Sequence, residues 1–305
     1  MDFQDIIDKY TNWIEFSKMK YSLTTWICIV IGATFLTGLL SYVITTLLIR
    51  EFTLIPIAFS LATFVLLLGY PYMKNEAIID SIEKNFSDSL KQMADTLKAG
   101  DTYESALREV VEADYGRLSE EMSFALRRLE DGENIETALT GFANRIDSRL
   151  VKRTVTIILD SIKSGASLAE ILDEIAEDVR DFQRLKEERK SNTTMQFMFM
   201  IASAGFVAPL IFGEINAVVG AFSTISAGSL TPEQIIATDQ TNNFIILLIQ
   251  IYLIIEVTGS GTMMSLIREG KLNKSIIYIP LLLLAAFIMY YIASFVVKGM
   301  ISGAV

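Results

Sequence analysis

The residues that could carry acid–base or metal chemistry in this chain are nearly all carboxylates. The 305 residues include 36 aspartates and glutamates, no histidine and one cysteine, Cys28. Zinc sites built on histidine and cysteine, a Ser–His–Asp triad and a Cys–His pair are therefore excluded. Most of the carboxylates recur at helical spacing on solvated faces, which favours a surface role over a catalytic pair. We expect no catalytic residue, no metal site and no cofactor.

Binding of nucleotides or nucleic acids is also disfavoured. The chain has no G-x-x-x-x-G-K-[ST] phosphate loop, and its Gly259-Ser-Gly261 cluster lacks the lysine, which favours a helix terminus or a kink there. The formal net charge of −10 argues against a nucleic-acid partner, which would need a basic face. The sequence therefore predicts a protein that is not an enzyme and that binds no nucleic acid.

Two groups of carboxylates remain as candidates for a binding function. An acidic ridge is formed by Asp173, Glu174, Glu177, Asp178 and Asp181. The ridge is either a solubilising surface or a docking strip for a basic partner. Glu214 and Glu256 instead interrupt apolar runs, and a carboxylate at mid-membrane costs about 2.5–3.5 kcal/mol on insertion scales. Both are open to three interpretations: boundary residues near a span end, helix-packing or substrate contacts, and ion coupling.

The apolar runs themselves predict an integral membrane protein. The chain is 51% apolar, and its mean hydropathy is +0.42. Runs long enough for a span of roughly 20 residues predict a transmembrane hairpin over 23–72 and three C-terminal transmembrane helices over 191–305. Residues 1–22 read as an amphipathic segment, which lies either on the membrane surface or against the later helical domain. We expect an all-α protein with about five transmembrane helices.

Residues 73–190 differ from the rest, because they are rich in charge and contain one phrase three times. The copies run from Leu97 to Leu107, from Leu129 to Leu139 and from Ile162 to Leu172. Their glycines, Gly100, Gly132 and Gly165, are typical of left-handed helix C-caps, and Thr102, Asn134 and Ser167 are good N-caps. Apolar stripes of helical period flank each glycine. Each copy is therefore a helical hairpin, and the stretch predicts an antiparallel six-helix bundle.

The positive-inside rule predicts the orientation of this bundle. With a cytoplasmic N-terminus, the lysines and arginines that flank the spans fall almost entirely on the inside, and only Arg50 and Lys298 fall outside. The opposite orientation would invert that count. We expect a multi-pass protein of the cell membrane whose bundle is cytoplasmic.

With the repeats and spans in place, the chain resembles the membrane platform proteins of type II secretion systems, type IV pili, tight-adherence pili and the archaeal flagellum. That family carries a phrase hydrophobe-x-x-Gly-x-x-hydrophobe-x-x-Ala-Leu. The early copy matches it at Leu97, Gly100, Tyr103, Ala106 and Leu107, and the late copy is Ile162, Gly165, Leu168, Ile171 and Leu172. Two leading spans before a single bundle are most similar to the tight-adherence and archaeal branches.

The resemblance implies a non-enzymatic platform for filament assembly. A cytoplasmic hexameric ATPase would dock on the bundle, and pilin-like subunits would move from the bilayer into a growing filament. The platform itself would be surrounded by membrane lipid and could pair with a second copy or with a paralogous platform protein. Two alternatives are a small ion-coupled transporter that uses Glu214 and Glu256, and a membrane-tethered signalling scaffold. The transporter predicts inverted repeats among the spans, which the sequence does not show.

The glycine of the third copy yields a first prediction. Gly165→Val should disrupt the bundle and abolish filament assembly, because a β-branched residue does not adopt the left-handed conformation that ends the helix. Thermal unfolding of the variant and the number of filaments on cells measure the two effects. Wild-type stability together with wild-type filament number would contradict the prediction.

Overall fold

The computed structural model describes residues 3–19, 21–48, 54–164, 167–227 and 231–304, and every regular element in these ranges is a helix. The first eight helices are α1 (Phe3–Phe16), α2 (Leu23–Leu48), α3 (Ile55–Lys98), α4 (Tyr103–Glu112), α5 (Arg117–Glu130), α6 (Ile135–Arg145), α7 (Arg149–Lys163) and α8 (Leu168–Asn192). They are followed by α9 (Thr194–Ala202), a π-helical turn (Ser203–Val207), α10 (Ala208–Ala227), α11 (Pro232–Glu269), a short 3₁₀ turn (Leu272–Lys274) and α12 (Ser275–Ala304).

Five helical stretches are long and apolar enough to cross a membrane. They are Leu23–Leu47, Ile55–Lys98, Leu168–Ser223, Glu233–Glu269 and Leu272–Ile301. The prediction of an all-α protein with five spans is confirmed. The helices also extend farther than the apolar runs do. α10 continues to Ala227 and α11 begins at Pro232, inside a stretch whose composition suggests a loop, because proline is favoured at the first helical position and Gln234 accepts a hydrogen bond from the Thr231 N–H at 3.0 Å.

The chain divides into two compact units. One contains Met1–Pro71 and Lys190–Val305, and the other is Tyr72–Arg189. We call the first the membrane unit and the second the helical unit. α3 contributes residues to both, because it is one helix of 44 residues.

The helical unit is built from hairpins that pack side by side. α4 packs against α5, α5 against α6 and α6 against α7. Side chains from α3, α5, α6, α7 and α8 converge on one apolar centre, where the rings of Phe86 and Phe142 lie 6.2 Å apart. Fully buried residues such as Ile82, Leu90 and Met122 surround this centre. The core explains why a stretch rich in charge folds as one unit.

The glycines of the repeated phrase end helices as the sequence predicts. Gly100 has a φ of 94° and Gly132 a φ of 86°, both in the left-handed region. At Gly132 the next N–H, that of Glu133, bonds to the Arg128 carbonyl, and the Gly132 N–H bonds to the Leu129 carbonyl, each at 2.9 Å. This pattern is the Schellman motif. Gly165 lies outside the described residues.

A helix N-cap lies two residues after each of these two glycines. Thr102 Oγ1 accepts a hydrogen bond from the Ser105 N–H at 3.2 Å, and Asn134 Oδ1 accepts one from the Thr137 N–H at 2.8 Å. Each cap satisfies one of the donors that a helix start leaves unpaired. The short phrase therefore encodes both sides of a helical turn.

In the membrane unit, α10 and α12 run parallel and in close contact. A Cβ on Gly213 would lie 2.3 Å from the Tyr290 carbonyl oxygen, and a Cβ on Gly205 would lie 3.4 Å from Leu282. The buried Asn216 donates to Ser294 Oγ at 3.2 Å, one turn beyond Gly213. Small residues at such crossings let helix backbones approach closely, which is the main source of helix association in lipid.

α11 packs against α12 in the opposite direction. A Cβ on Gly261 would lie 2.6 Å from Ile279, and Gln250 Nε2 donates to the Tyr291 hydroxyl at 3.3 Å. Gln250 Oε1 also accepts from the Leu54 N–H at 2.8 Å, which ties the start of α3 to α11. The helix continues without a break through Gly259-Ser-Gly261, so a helix terminus at this cluster is wrong.

The amphipathic α1 also belongs to the membrane unit. Tyr10 donates from its hydroxyl to the Leu68 carbonyl of α3 at 3.0 Å, and Ile14 is buried. Nearby, the rings of Trp26 and Tyr70 stack 5.6 Å apart. A group of tyrosine and tryptophan side chains of this kind is typical of a membrane–water interface.

The turn at Gly132 allows a test of the fold. Gly132→Val should lower the free energy of unfolding by about 1–3 kcal/mol, because valine is strained at a positive φ. No atom lies within 4 Å of a Cβ at this position, so the loss reports the backbone alone. Gly132→Asn is the matched control, since asparagine tolerates this conformation, and its loss should be smaller. Denaturation of the full chain in detergent measures both, and equal losses would contradict the explanation.

Candidate functional site

A row of ion pairs joins the two helices at which the helical unit begins and ends. Asp173 of α8 accepts hydrogen bonds from Lys91 and from Lys98 of α3. These two hydrogen bonds hold the pKa of the Asp173 carboxyl below its usual range, and the one from Lys91 has the larger effect. The hydrogen bond to Asp173 in turn raises the pKa of Lys91. Among the described residues, Asp173 is therefore the one member of the predicted ridge that forms ion pairs with another helix.

The same row continues along α3 and α8. Arg180 Nη2 lies 2.8 Å from Asp88 Oδ1, and Lys186 Nζ lies 2.9 Å from Asp80 and 3.3 Å from Glu83. Partial burial opposes the charge on Lys186, but its two carboxylate partners outweigh that effect and raise its pKa. The contacts fix the register of α8 along α3.

The other four ridge residues face solvent. Glu174, Glu177 and Asp178 are exposed, and Asp181 lies 3.5 Å from the exposed Arg184 on its own helix. We call Glu174, Glu177, Asp178 and Asp181 the acidic strip. An exposed pair such as Asp181–Arg184 contributes little stability, so the strip remains available to a partner.

Two large apolar side chains, Phe182 and Leu185, lie exposed beside the strip. Their exposure is not predicted by the apolar pattern of the sequence. The spacing of Leu172, Ile175 and Val179 suggests that Phe182 and Leu185 continue the same buried stripe. Instead, Phe182 is 51% exposed and Leu185 is 65% exposed. The face of α8 that meets α3 continues through Gln183 and Lys186, both half-buried. The sequence feature that could have indicated this face is the pair of carboxylates on α3, Asp80 and Glu83. They form ion pairs with Lys186 where α8 packs against α3.

A buried ion triad is a second feature that the sequence patterns do not predict. Glu121 of α5 is fully buried, and its carboxylate lies 3.0 Å from Arg117 and 2.7 Å from Arg145. The Arg145 guanidinium also lies 3.8 Å from the centre of the Phe124 ring. A buried carboxylate held by two guanidinium groups links α5 to the end of α6, and its role here is structural.

Neither membrane carboxylate is paired with a basic residue by the described part of the chain. Glu214 of α10 is exposed. Glu256 of α11 is half-buried, and its Oε2 is shut off from solvent without a hydrogen-bond partner. In the described ranges, no group of three or more Asp, Glu, Cys or His side chains could hold a metal ion.

The comparisons with known proteins agree with the resemblance seen in the repeats. Residues 89–213 match the model of the family described as type II secretion system (T2SS), protein F. The uncharacterized protein MJ0779 of Methanocaldococcus jannaschii is 26% identical over 161 residues, which is 51% of this chain and 54% of that protein. The chain thus spans about half the length of this relative. No solved structure matches the chain. The predicted kinship with the platform family is confirmed for residues 89–213.

The ion pairs of Asp173 between α8 and α3 predict how the stability of the chain depends on pH. A lowered pKa means that ionised Asp173 adds stability above its unfolded pKa of about 3.9, and that this stability is lost as the pH falls through the lower folded pKa. The unfolding temperature of the full chain in detergent should therefore drop more steeply below about pH 4 than that of Asp173→Asn.

Asp178→Asn is the matched control, since Asp178 makes no ion pair with a described residue, and its profile should follow the unmodified chain. A profile of Asp173→Asn that coincides with the unmodified chain over this pH range would contradict the assignment.

Proposed function

Because residues 89–213 carry the domain of the type II secretion protein F family, we propose that this multi-pass membrane protein is a non-enzymatic platform for filament assembly. The filament would be a type IV pilus-like fibre or a type II secretion pseudopilus. The platform couples a cytoplasmic secretion ATPase to the insertion of pilin-like subunits. The observation that carries the proposal is the family domain within a chain that has five membrane spans.

The covalent connections of the helical unit support a coupling role. α3 passes without interruption from the membrane unit into the helical unit. α8 ends at Asn192, and α9 begins after a single turn residue, Thr193. The ion-pair row holds α3 and α8 in register, so a displacement of the helical unit acts on two spans together rather than on one.

The charges that flank the spans support a cytoplasmic helical unit. Lys190 and Lys274 lie 3.6 and 3.1 Å from Glu269, at the end of α11 and the start of α12. Arg268 lies over the ring of Phe197 at 4.4 Å. This basic, aromatic layer is typical of the cytoplasmic interface. Lys190 directly follows the helical unit, which therefore belongs on the same side of the membrane.

The acidic strip is the surface we assign to the ATPase. The four carboxylates have no basic partner on α3, so they attract a partner protein with a basic surface. The same attraction would raise the rate at which that partner associates. Phe182 and Leu185 beside them add the exposed apolar area that a rim of charge usually surrounds at an interface. A second copy of this chain or a paralogous platform protein would bind at surfaces other than the acidic strip.

The proposal predicts that the chain binds the secretion ATPase encoded near it and that the strip carries this binding. The full chain in detergent should retain the ATPase on an affinity column. Glu177→Lys combined with Asp178→Lys should lower the recovery by roughly tenfold or more, because two attractive charges become repulsive. Asp101→Lys with Glu112→Lys makes the same change of charge at two other exposed carboxylates and should leave recovery unchanged.

Deletion of the gene should remove filaments from the cell surface, as counted by electron microscopy. If the intact chain retains no ATPase and deletion leaves filaments in place, the platform function is wrong. If recovery falls equally in both double variants, the ATPase binds but the strip is not its site.

A further inference from the structure

Glu256 lies at the middle of a membrane span. Asn243, which precedes the apolar part of α11, and Glu269 at its end are each 13 residues away. At 1.5 Å per residue, each end is about 20 Å from Glu256 along the helix. The hydrocarbon core is about 30 Å thick, so the carboxyl is far from both interfaces.

The contacts of α11 and α10 with α12 identify what lies at the same depth. Gly261 opposite Ile279 and Gln250 opposite Tyr291 place Glu256 level with Leu284 of the antiparallel α12. The parallel contacts of Gly205 with Leu282 and of Gly213 with Tyr290 place Val207 at that same level. Val207 is the last residue of the π-helical turn, and this turn packs against α11.

Helical spacing places Glu256 on the face of α11 that meets α10. Ile245, Ile249 and Tyr252 precede it at helical spacing on one face. Ile245 and Ile249 pack in a cluster with Phe212 of α10, and the Tyr252 ring lies 5.0 Å from that of Phe212. Glu256 is the next residue of this face towards the π-helical turn, and its Oε2 is shut off from solvent.

The described helix segments at this depth contain no positive charge that could neutralise a carboxylate in this position. Residues 194–213 and 275–297, which cover the π-helical turn and most of α12, contain no lysine or arginine. The apolar part of α3, residues 55–72, contains none either. The titratable groups in these stretches are tyrosines, and the nearest acid on α10 is Glu214, about 10 Å farther along the membrane normal.

We propose that Glu256 is a proton-binding site, a neutral carboxylic acid at the seam between α11 and the π-helical turn. An ionised carboxylate there would have an enclosed oxygen without a donor in a medium that penalises charge. The neutral acid avoids that penalty and gains an O–H donor. Pro209 has no N–H, so a carbonyl of the adjacent turn lacks the donor that another residue would supply.

The site responds to movement of the seam. While α9, the π-helical turn and α10 stay packed on α11, water does not reach Oε2 and the proton is retained. Separation of these helices hydrates the carboxyl and allows the proton to leave. π-Helical turns inside long helices frequently mark functional positions, and this one lies at the level where such a movement would change the environment of the acid.

Labelling with dicyclohexylcarbodiimide tests the proposal, because this apolar reagent reacts with protonated carboxyls. The acid gives its proton to a carbodiimide nitrogen while a carboxyl oxygen adds to the central carbon, and acyl migration then yields a stable N-acylurea. In the full chain in liposomes at about pH 7, mass spectrometry should find Glu256 labelled at least about tenfold more than the exposed Glu177, since the penalty on the charged form exceeds one factor of ten.

Two variants sharpen the result. Glu256→Gln should remove that adduct and leave the unfolding temperature unchanged between about pH 6 and pH 8, because one neutral group replaces another. Glu214→Gln should leave the adduct on Glu256 in place. Labelling of Glu256 no greater than that of Glu177 in the unmodified chain would overturn the proposal, as would a lower unfolding temperature of Glu256→Gln. The measurement needs neither an ATPase nor filaments, so it is independent of the platform proposal.

Discussion

The absence of water inside a bilayer is the constraint on which this structure depends. Backbone N–H and C=O groups in hydrocarbon must bond within their own helix, so the chain crosses as long, continuous helices such as the 44-residue α3 and the 38-residue α11. The same constraint makes any interruption conspicuous. The π-helical turn at Ser203–Val207 is tolerated because Pro209, two residues after its end, has no N–H with which to continue the normal bonding pattern, and because α11 and α12 pack against the turn.

The two units are held together by different forces for the same reason. In the helical unit, water drives Phe86, Leu90 and Met122 into one core. Lipid offers no such drive, so the membrane unit relies on close backbone approach at Gly213 and on amide hydrogen bonds from Asn216 and Gln250. Polar residues therefore act as ties inside the membrane unit, while in the helical unit they lie on the surface or, as in the Glu121 triad, link helices that the core already holds.

The parts of the fold that depend on neighbours in sequence could be predicted from the sequence alone. Span number follows from apolar run length, and the turns at Gly100 and Gly132 follow from a cap on each side of a residue that tolerates positive φ. The exposure of Phe182 and Leu185 could not be predicted this way, because it depends on which face of α8 meets α3. Ion pairs from Asp80, Glu83 and Asp88 decide that face, and they lie about 90–110 residues earlier in the chain.

The candidate site shows the same division, and it shows why residue type alone does not assign a role. Asp173 and Asp178 are chemically identical and stand five residues apart, yet only Asp173 meets lysines from α3. Glu214 and Glu256 both interrupt apolar runs, but their environments differ. Glu214 is exposed on α10 and lies about 10 Å farther along the membrane normal, whereas Glu256 is half-buried and its Oε2 is shut off from solvent without a hydrogen-bond partner. Charge has a modest cost at the first position and a large one at the second. We therefore expect the two carboxyls to differ in protonation, although both stand in apolar stretches of the sequence.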